Sequence, residues 1–485
     1  MKTQIKPKVL LLSIVVAAIL PGCASFKGIG SDHHIASPGT YQSAQALPDE
    51  HGNWPAADWA SHYGDAQLPA LIAEALKNNP TLEQARARVA AAAAVSDGTR
   101  AASGPKVNLD ASITRQQYTS NALVPPPVAS SWQTENKAVL SASYELDVWG
   151  KHKAAESAAV SRLMLAEAEK EKVKLTLSTA IARAYNELAR LYWQRDLAGD
   201  DIAQRQQLRQ LSIARARSGL DTEVEPQNAN RVLAGSQASL AALDGQILDV
   251  RYQLGALLGA GPDRGLQITR PQLAEDAAPR DRLPDNLPAD LVARRPDITV
   301  ARWRVDATTQ DIKVAKAEFY PDINLGAAIG LDAFGFGRFL DASSRTISAG
   351  PALHLPIFDS GALRAQLKGR YADFDQAVAA YNQTLVGALS DVATQIARVR
   401  STDAQLLDAQ AASDAAQRNW QLAASQYKAG LNTQQNLLQA RVTVIATQQT
   451  LANLRMARRD QQIGLAAALG GGFGNPQPSQ QPLIN

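Results

Sequence analysis

Ser218-Gly219-Leu220-Asp221-Thr222 is answered roughly 210 residues later by Ala429-Gly430-Leu431-Asn432-Thr433, the same small-Gly-Leu-polar-Thr phrase in one chain. Other landmarks recur in the same order. Leu68-Pro69-Ala70 leading to Asn79-Pro80 is matched by Leu287-Pro288-Ala289 leading to Arg295-Pro296. Pro105-Lys106-Val107-Asn108-Leu109 is matched by Pro321-Asp322-Ile323-Asn324-Leu325, and Leu257-Leu258-Gly259 by Ala468-Leu469-Gly470. Ordered self-similarity at one fixed period marks a duplicated architecture. The chain accordingly divides into a first repeat at 61–265, a linker at 266–286, a second repeat at 287–470 and a Gly-, Pro- and Gln-rich tail at 471–485.

Working outward from the two Gly turns, each is preceded by a long Pro-free stretch, from about Lys151 to Ser218 and from about Ala362 to Ala429. Leu177, Ile181, Ala184, Leu188 and Leu191 are spaced four, three, four, three, and Leu385, Leu389, Val392, Ile396 and Val399 repeat that spacing. This is a coiled-coil seam, and at 1.5 Å per residue each helix approaches about 100 Å. A returning seam follows each turn: Leu240, Leu243, Ile247, Val250, Leu254 and Leu257 in the first half, and Leu451, Leu454 and Leu465 in the second, where Arg458 and Gln461 interrupt the stripe. Thr222 and Glu225 have the spacing of a capping box for the returning helix, and Gly219 and Gly430 stand where a left-handed residue ends a helix.

Before each long helix the hydrophobic period changes from helix to strand. Val107, Leu109, Ala111 and Ile113 share one face of a first strand, and Ala138, Leu140, Ala142, Tyr144 and Leu146 one face of a second. Ile323, Leu325, Ala327, Ile329 and Leu331 line a third, and Ile347, Ala349, Leu353 and Leu355 a fourth. Each has about the 9 to 11 residues of a tilted transmembrane strand, with Asn108, Asp110, Ser112, Thr114, Ser141 and Ser143 on the intervening faces. Four strands close no barrel, since about eight is the usual minimum; a dimer would give eight strands and a trimer twelve. Tyr118, Trp132, Phe334, Phe336 and Phe339 at one end, and Trp149, Phe319, Tyr320 and Phe358 at the other, stand either as interfacial girdles or as core aromatics.

The N-terminus is an address. Lys2, Lys6 and Lys8 precede an apolar run from Val9 to Leu20, shorter than the roughly 20 residues of a spanning helix. Residues 1–22 read as a signal peptide, and Leu20-Pro21-Gly22-Cys23 resembles a bacterial lipobox with Cys23 as the lipidated first mature residue of a 23–60 extension. Ala24, rather than Asp, follows the cysteine, which by resemblance to other lipoproteins points to the outer membrane.

Lipobox, duplicated halves, two strand pairs and two long helical hairpins together resemble a TolC-type outer-membrane efflux factor of the lipoprotein, OprM-like (NodT) branch. Arg294-Arg295-Pro296-Asp297-Ile298 and Leu355-Pro356-Ile357-Phe358-Asp359-Ser360-Gly361 are phrases typical of that branch. The resemblance spans about Asp58 to Gly471 and implies an α+β membrane protein. Its homotrimer would form a 12-stranded transmembrane β-barrel, four strands per chain, continued by a periplasmic α-helical barrel. It implies an exit duct of a tripartite efflux system that takes toxic compounds or drugs from an adaptor and an inner-membrane pump of RND or MFS type. It also implies adaptor-docking tips at Gly219, Leu220, Asp221, Thr222, Gly430, Leu431 and Thr433. A periplasmic gate would involve Tyr427 and Glu225, with Asn432, Asn436 and Gln439 standing where family members carry an arginine and two acids. In this chain those three charged positions are neutral amides.

Other classes are disfavoured. Lys and Arg number 49 against 46 Asp and Glu, for a net charge of +3, which argues against a nucleic-acid partner. One cysteine excludes a disulfide framework or a Cys-based zinc site, and the six scattered histidines offer no metal site. No His, Asp/Glu and Ser/Cys group has catalytic spacing, so neither an enzyme nor a cofactor beyond a covalent lipid is expected. A type I secretion conduit and a structural periplasmic coiled-coil lipoprotein are the competing functions.

Overall fold

The computed structural model describes residues 25–121, 125–273, 282–359 and 361–474. The signal peptide, Cys23 and most of the C-terminal tail lie outside the described residues. In chain order the helices are α1 (Gln67–Asn78), α2 (Pro80–Ala102), α3 (Lys151–Arg217), α4 (Val224–Leu257), α5 (Pro262–Leu266), α6 (Leu287–Arg294), α7 (Pro296–Ala317), α8 (Ala362–Lys428) and α9 (Gln434–Ala468). Strands β1 (Lys106–Gln117) and β2 (Trp132–Leu146) follow α2, and β3 (Asp322–Phe334) and β4 (Arg345–His354) follow α7. The order helix, helix, strand pair, long hairpin thus occurs twice. α3 and α8 each contain 67 residues, the length that the Pro-free seams predict. Among the described residues no helix is long and apolar enough to cross a membrane.

The chain forms two compact units, each drawn from both repeats. One comprises Met1–Ile35, Val89–Ala166 and Ala301–Tyr381 and is built on a four-stranded antiparallel sheet in the order β1-β2-β3-β4. The register places Leu109 opposite Leu140, Leu140 opposite Ile329, and Ile329 opposite Ile347. The alternating apolar positions therefore merge into one continuous band. Leu109 is 70% and Ile113 67% exposed. A bare apolar sheet face of this kind needs lipid against it, while Asn108 and Ser141 pair on the opposite face. The apolar pattern predicts Leu355 in the fourth strand, but β4 ends at His354; the Leu355-Pro356 step lies past the last ladder pair, where Pro removes the donor that pairing needs.

Both strand-to-helix corners use one device. Asp147 accepts the backbone N–H of His152 at 3.0 Å and of Lys153 at 2.9 Å; Asp359 accepts those of Gly361 at 2.9 Å and Leu363 at 2.7 Å. Gly150 and Gly361 supply the positive φ at these corners. The aromatics separate into two roles. Trp149 stacks on Tyr320 at 4.6 Å, Phe358 is 86% exposed, and Trp132, Phe334 and Phe336 are exposed at the other end. Phe319 takes the core role: it is buried with Ile312, Ala315 and Leu367 and meets Phe26 edge-on at 5.6 Å. The Phe26 docking also shows that the polar-looking extension is fastened there, where Arg364 donates to the Ser25 carbonyl.

The other unit comprises Ala36–Arg88, Glu167–Val300 and Asn382–Asn485. All ten seam residues of α3 and α8 are buried, with Ile181, Leu188, Leu385 and Val392 fully enclosed. The irregular seam of α9 has a physical reason: Arg458 pairs with Asp403, and Gln461 donates to Thr402 at 2.9 Å. The interrupting residues are cross-helix partners of α8.

The repeat landmarks meet each other in space. Asn79 donates to the Leu257 carbonyl at 2.8 Å in the first half, and Arg295 to the Ala468 carbonyl at 2.9 Å in the second. Gly259 and Gly470 follow with φ of 71° and 94°. A Cβ on Gly259 would lie 2.5 Å from the Asn78 carbonyl oxygen, and one on Gly470 1.8 Å from that of Arg294. The Asn-Pro and Arg-Pro phrases recur because each half closes on itself there.

Candidate functional site

The two hairpin tips are built alike. After α3, the Gly219 N–H donates to Ala216 O at 3.0 Å and Leu220 N–H to Arg215 O at 2.9 Å. After α8, Gly430 N–H donates to Tyr427 O at 3.0 Å and Leu431 N–H to Gln426 O at 2.8 Å. These are paired Schellman closures, with Gly219 at φ 72° and Gly430 at φ 75°. Leu220 and Leu431 project at the ends, 66% and 81% exposed.

The polar chemistry of the tips then diverges. At the first, Arg215 forks onto Asp221 at 2.7 and 3.0 Å. Their hydrogen bond holds the Asp221 carboxyl below, and the Arg215 guanidinium above, its ordinary pKa. At the second, neutral amides do the fastening. Asn432 Oδ1 accepts the Thr433 N–H at 2.8 Å and Asn436 Nδ2 at 2.9 Å, while Asn432 Nδ2 donates to Gln426 Oε1 at 3.2 Å.

The capping box expected at Thr222 does not form. α4 begins at Val224 with Glu223 before it in helical conformation and no side-chain cap. The Glu225 N–H that Thr222 Oγ1 would accept is taken by the Thr222 carbonyl at 3.3 Å. The second tip carries the cap instead, where extended Thr433 accepts the Asn436 N–H on Oγ1 at 3.2 Å.

The expected gate residues fall into three places. Asn432 and Asn436 are joined within the second turn. Glu225 and Gln439 line one groove of about 460 Å³ beneath the first tip. Tyr427 lies one turn before Gly430, 41% exposed, and among the described residues no hydrogen bond joins it to Glu225 within the protomer. Sequence reasoning missed Arg215 and Gln426, whose signal is spacing: each lies six residues before its polar partner across the Gly turn. Among the described residues no group of three or more His, Cys, Asp or Glu is disposed to hold a metal.

A duplicated chain with a bare apolar four-stranded sheet and two 67-residue helices defines a channel that is complete only as an oligomer, with a membrane barrel continued by a helical tunnel. The family model for outer membrane efflux protein matches residues 71–260 and 287–471, one match per repeat. The chain belongs to that family and is an outer-membrane efflux channel of the TolC type, whose trimer closes a twelve-stranded barrel. It is 31% identical over 96% of its length, and 97% of the relative's, to the multidrug resistance outer membrane protein MdtP of Shigella flexneri. It is 37% identical over 74% of its length, and 68% of the relative's, to the fusaric acid resistance protein FusA of Burkholderia cepacia. The crystal structure of the outer membrane protein VceC from Vibrio cholerae matches at TM-score 0.79 and 35% identity, covering 87% of this chain and all of that one.

Proposed function

We propose that this chain is the lipid-anchored exit duct of a tripartite efflux system, passively passing small toxic organic compounds delivered by a periplasmic adaptor and an inner-membrane pump of RND or MFS type. What supports the reading most is the pair of equal helical hairpins ending in projecting leucines at Leu220 and Leu431. Two exposed apolar tips suit docking to a protein partner. Gly219, Asp221, Thr222, Gly430 and Thr433 hold those tips in shape. In this reading Cys23 carries the lipid, two residues before Ser25, whose carbonyl accepts from Arg364.

The resting pore is proposed to be narrowed by helix packing and by the amide contacts of Asn432 and Asn436, with Tyr427 projecting beside them. The test is a deletion strain and its complement. Loss of the chain is expected to raise retention of ethidium, and radiolabelled palmitate is expected in the wild type and not in Cys23→Ala. Unchanged retention on deletion sinks the efflux reading, and labelling of Cys23→Ala sinks the lipid assignment.

A further inference from the structure

We infer that each seam between copies of this chain binds the phosphate of the outer leaflet's glycolipid, lipopolysaccharide, between Arg345 of one copy and Arg115 of the next. The inference stands on the barrel described above and is independent of the lipid anchor and of the pump.

The register sorts the charges of the sheet. Its strands hold nine Asp, Glu, Lys and Arg residues, and all but two share the polar face with Asn108 and Ser141. The two exceptions are arginines. Arg115 pairs with Thr134, two places on from the pair of Ile113 and Asn136, and Arg345 pairs with Leu331, two places on from the pair of Ile347 and Ile329. Both stand on the apolar, lipid-facing side, which carries no carboxylate in any of the four strands.

Their heights match. On β1 the lipid-facing run is Val107, Leu109, Ala111 and Ile113, then Arg115; on β4, read from the helix end, it is Leu353, Pro351, Ala349 and Ile347, then Arg345. Eight residues separate Val107 from Arg115 and Leu353 from Arg345. At about 3.4 Å per residue and a tilt of about 40°, that run climbs about 20 Å, to the outer edge of an apolar band about 25 Å tall. An arginine facing lipid is costly at the midplane and tolerated at that edge, where it meets the headgroup layer. The loops joining β1 to β2 and β3 to β4 lie at this end, opposite the corners that lead into α3 and α8, so the leaflet concerned is the outer one.

β1 and β4 are the two edges of the sheet. Closure of the trimer sets β4 of one copy beside β1 of the next, with strands about 4.8 Å apart, so the site is incomplete in a single copy. Among the described residues neither Arg115 nor Arg345 has a carboxylate in ion-pair reach. Two uncompensated guanidinium groups on adjoining strands select an anion, and their forks suit phosphate. A second observation marks the same face. Asn136, in the row next to Arg115, is 1% exposed, and neither amide atom has a partner among the described residues. A buried amide left open on the lipid side of a sheet asks for a polar group from outside the chain, and a sugar-phosphate headgroup supplies one.

The test uses the purified, delipidated full-length trimer in detergent, with its dissociation temperature in unboiled gels as the readout. The probes are lipopolysaccharide, the same lipid after phosphatase treatment, phosphatidylglycerol and inorganic phosphate. Lipopolysaccharide is expected to raise the dissociation temperature of the wild type, and Arg115→Gln with Arg345→Gln to need at least about tenfold more lipid for the same rise. A double variant that responds like the wild type overturns the proposal. An equal rise with the phosphatase-treated lipid would show that acyl chains alone bind, and an equal rise with phosphatidylglycerol or inorganic phosphate that no glycolipid is selected; either result also overturns it. Should the double variant form no trimers, Arg115→Lys and Arg345→Lys carry the test, since lysine keeps the charge and loses the fork. Each is expected to need about threefold more lipid, and a wild-type response from both overturns the proposal.

Discussion

Replacing Arg295 by Met tests whether the second half is closed by a charge where the first is closed by an amide. Arg295 is 8% exposed. Its guanidinium donates to Asp297 at 3.0 and 2.7 Å, to the Ala468 carbonyl at 2.9 Å and to Asp391 at 3.4 Å. Burial pushes the Asp297 carboxyl up, but the bonds and charge of Arg295, with the Ile298 N–H, hold it below its ordinary value. Methionine keeps much of the volume and strands that carboxylate, at a cost of about 3 kcal/mol for a broken buried pair. Asn79→Ala, at the matching position, removes two neutral bonds, one donated to the Leu257 carbonyl and one accepted from the Thr81 N–H at 2.8 Å, at about 1 kcal/mol each. The assay is the temperature at which the trimer dissociates in unboiled gels. Arg295→Met should fall further than Asn79→Ala, and Arg295→Met with Asp297→Leu should recover most of the loss. A double variant no more stable than the single would refute the reasoning, since the stranded charge is its whole basis. The pH dependence has a definite sign. Because the folded carboxyl titrates below the unfolded value of about 3.9, the pair's contribution is complete above that value and is lost as pH falls through the folded one. Arg295→Met should remove that acid-sensitive part.

Gly470→Ala should prevent trimer recovery, because the added methyl meets the Arg294 carbonyl oxygen at 1.8 Å. Gly430→Ala meets open space and should cost only the left-handed backbone strain, about 1 kcal/mol, leaving trimers intact in the same gel. If amides close the second tip, open probability of the purified trimer in a bilayer should stay flat from about 0.1 to about 1 M salt, over which the Debye length shrinks from about 10 to about 3 Å. Strong opening by salt would show that ion pairs hold the gate. Phe26→Asp should expose the N-terminal segment to protease by breaking its edge contact with Phe319; a digestion pattern like the wild type would show that the segment is held elsewhere.

The helices and strands were legible because their constraints are periodic. A coiled seam must place apolar residues every three or four positions, and the buried set from Leu177 to Leu191 obeys that rule. A lipid-facing strand must alternate, and the register carries Leu109, Leu140, Ile329 and Ile347 across four strands in one band. The tips were less legible because their fastening is aperiodic. Whether Thr222 caps a helix depends on a backbone N–H that its own carbonyl takes first. Whether Phe319 faces lipid or core depends on Phe26, nearly 300 residues away in sequence.

Duplication explains why the backbone of the two tips agrees while their chemistry does not. The Schellman closures at Gly219 and Gly430 are demanded by the stalks, since any long helix that reverses must satisfy its last carbonyls. The side chains beyond that demand are free to diverge. Asp221 has an arginine six residues back, whereas Asn432 has Gln426. A threefold trimer repeats each tip three times about its axis, so this divergence gives a ring with three ionic and three neutral ends. A single partner docking on that ring meets two different surfaces, which fixes its rotational register as two equal tips would not. Exchanging the polar residues of the tips, Asp221 for Asn and Asn432 for Asp, should therefore disturb partner docking by more than the sum of the two single changes; a double variant that loses no more than that sum would refute the register argument.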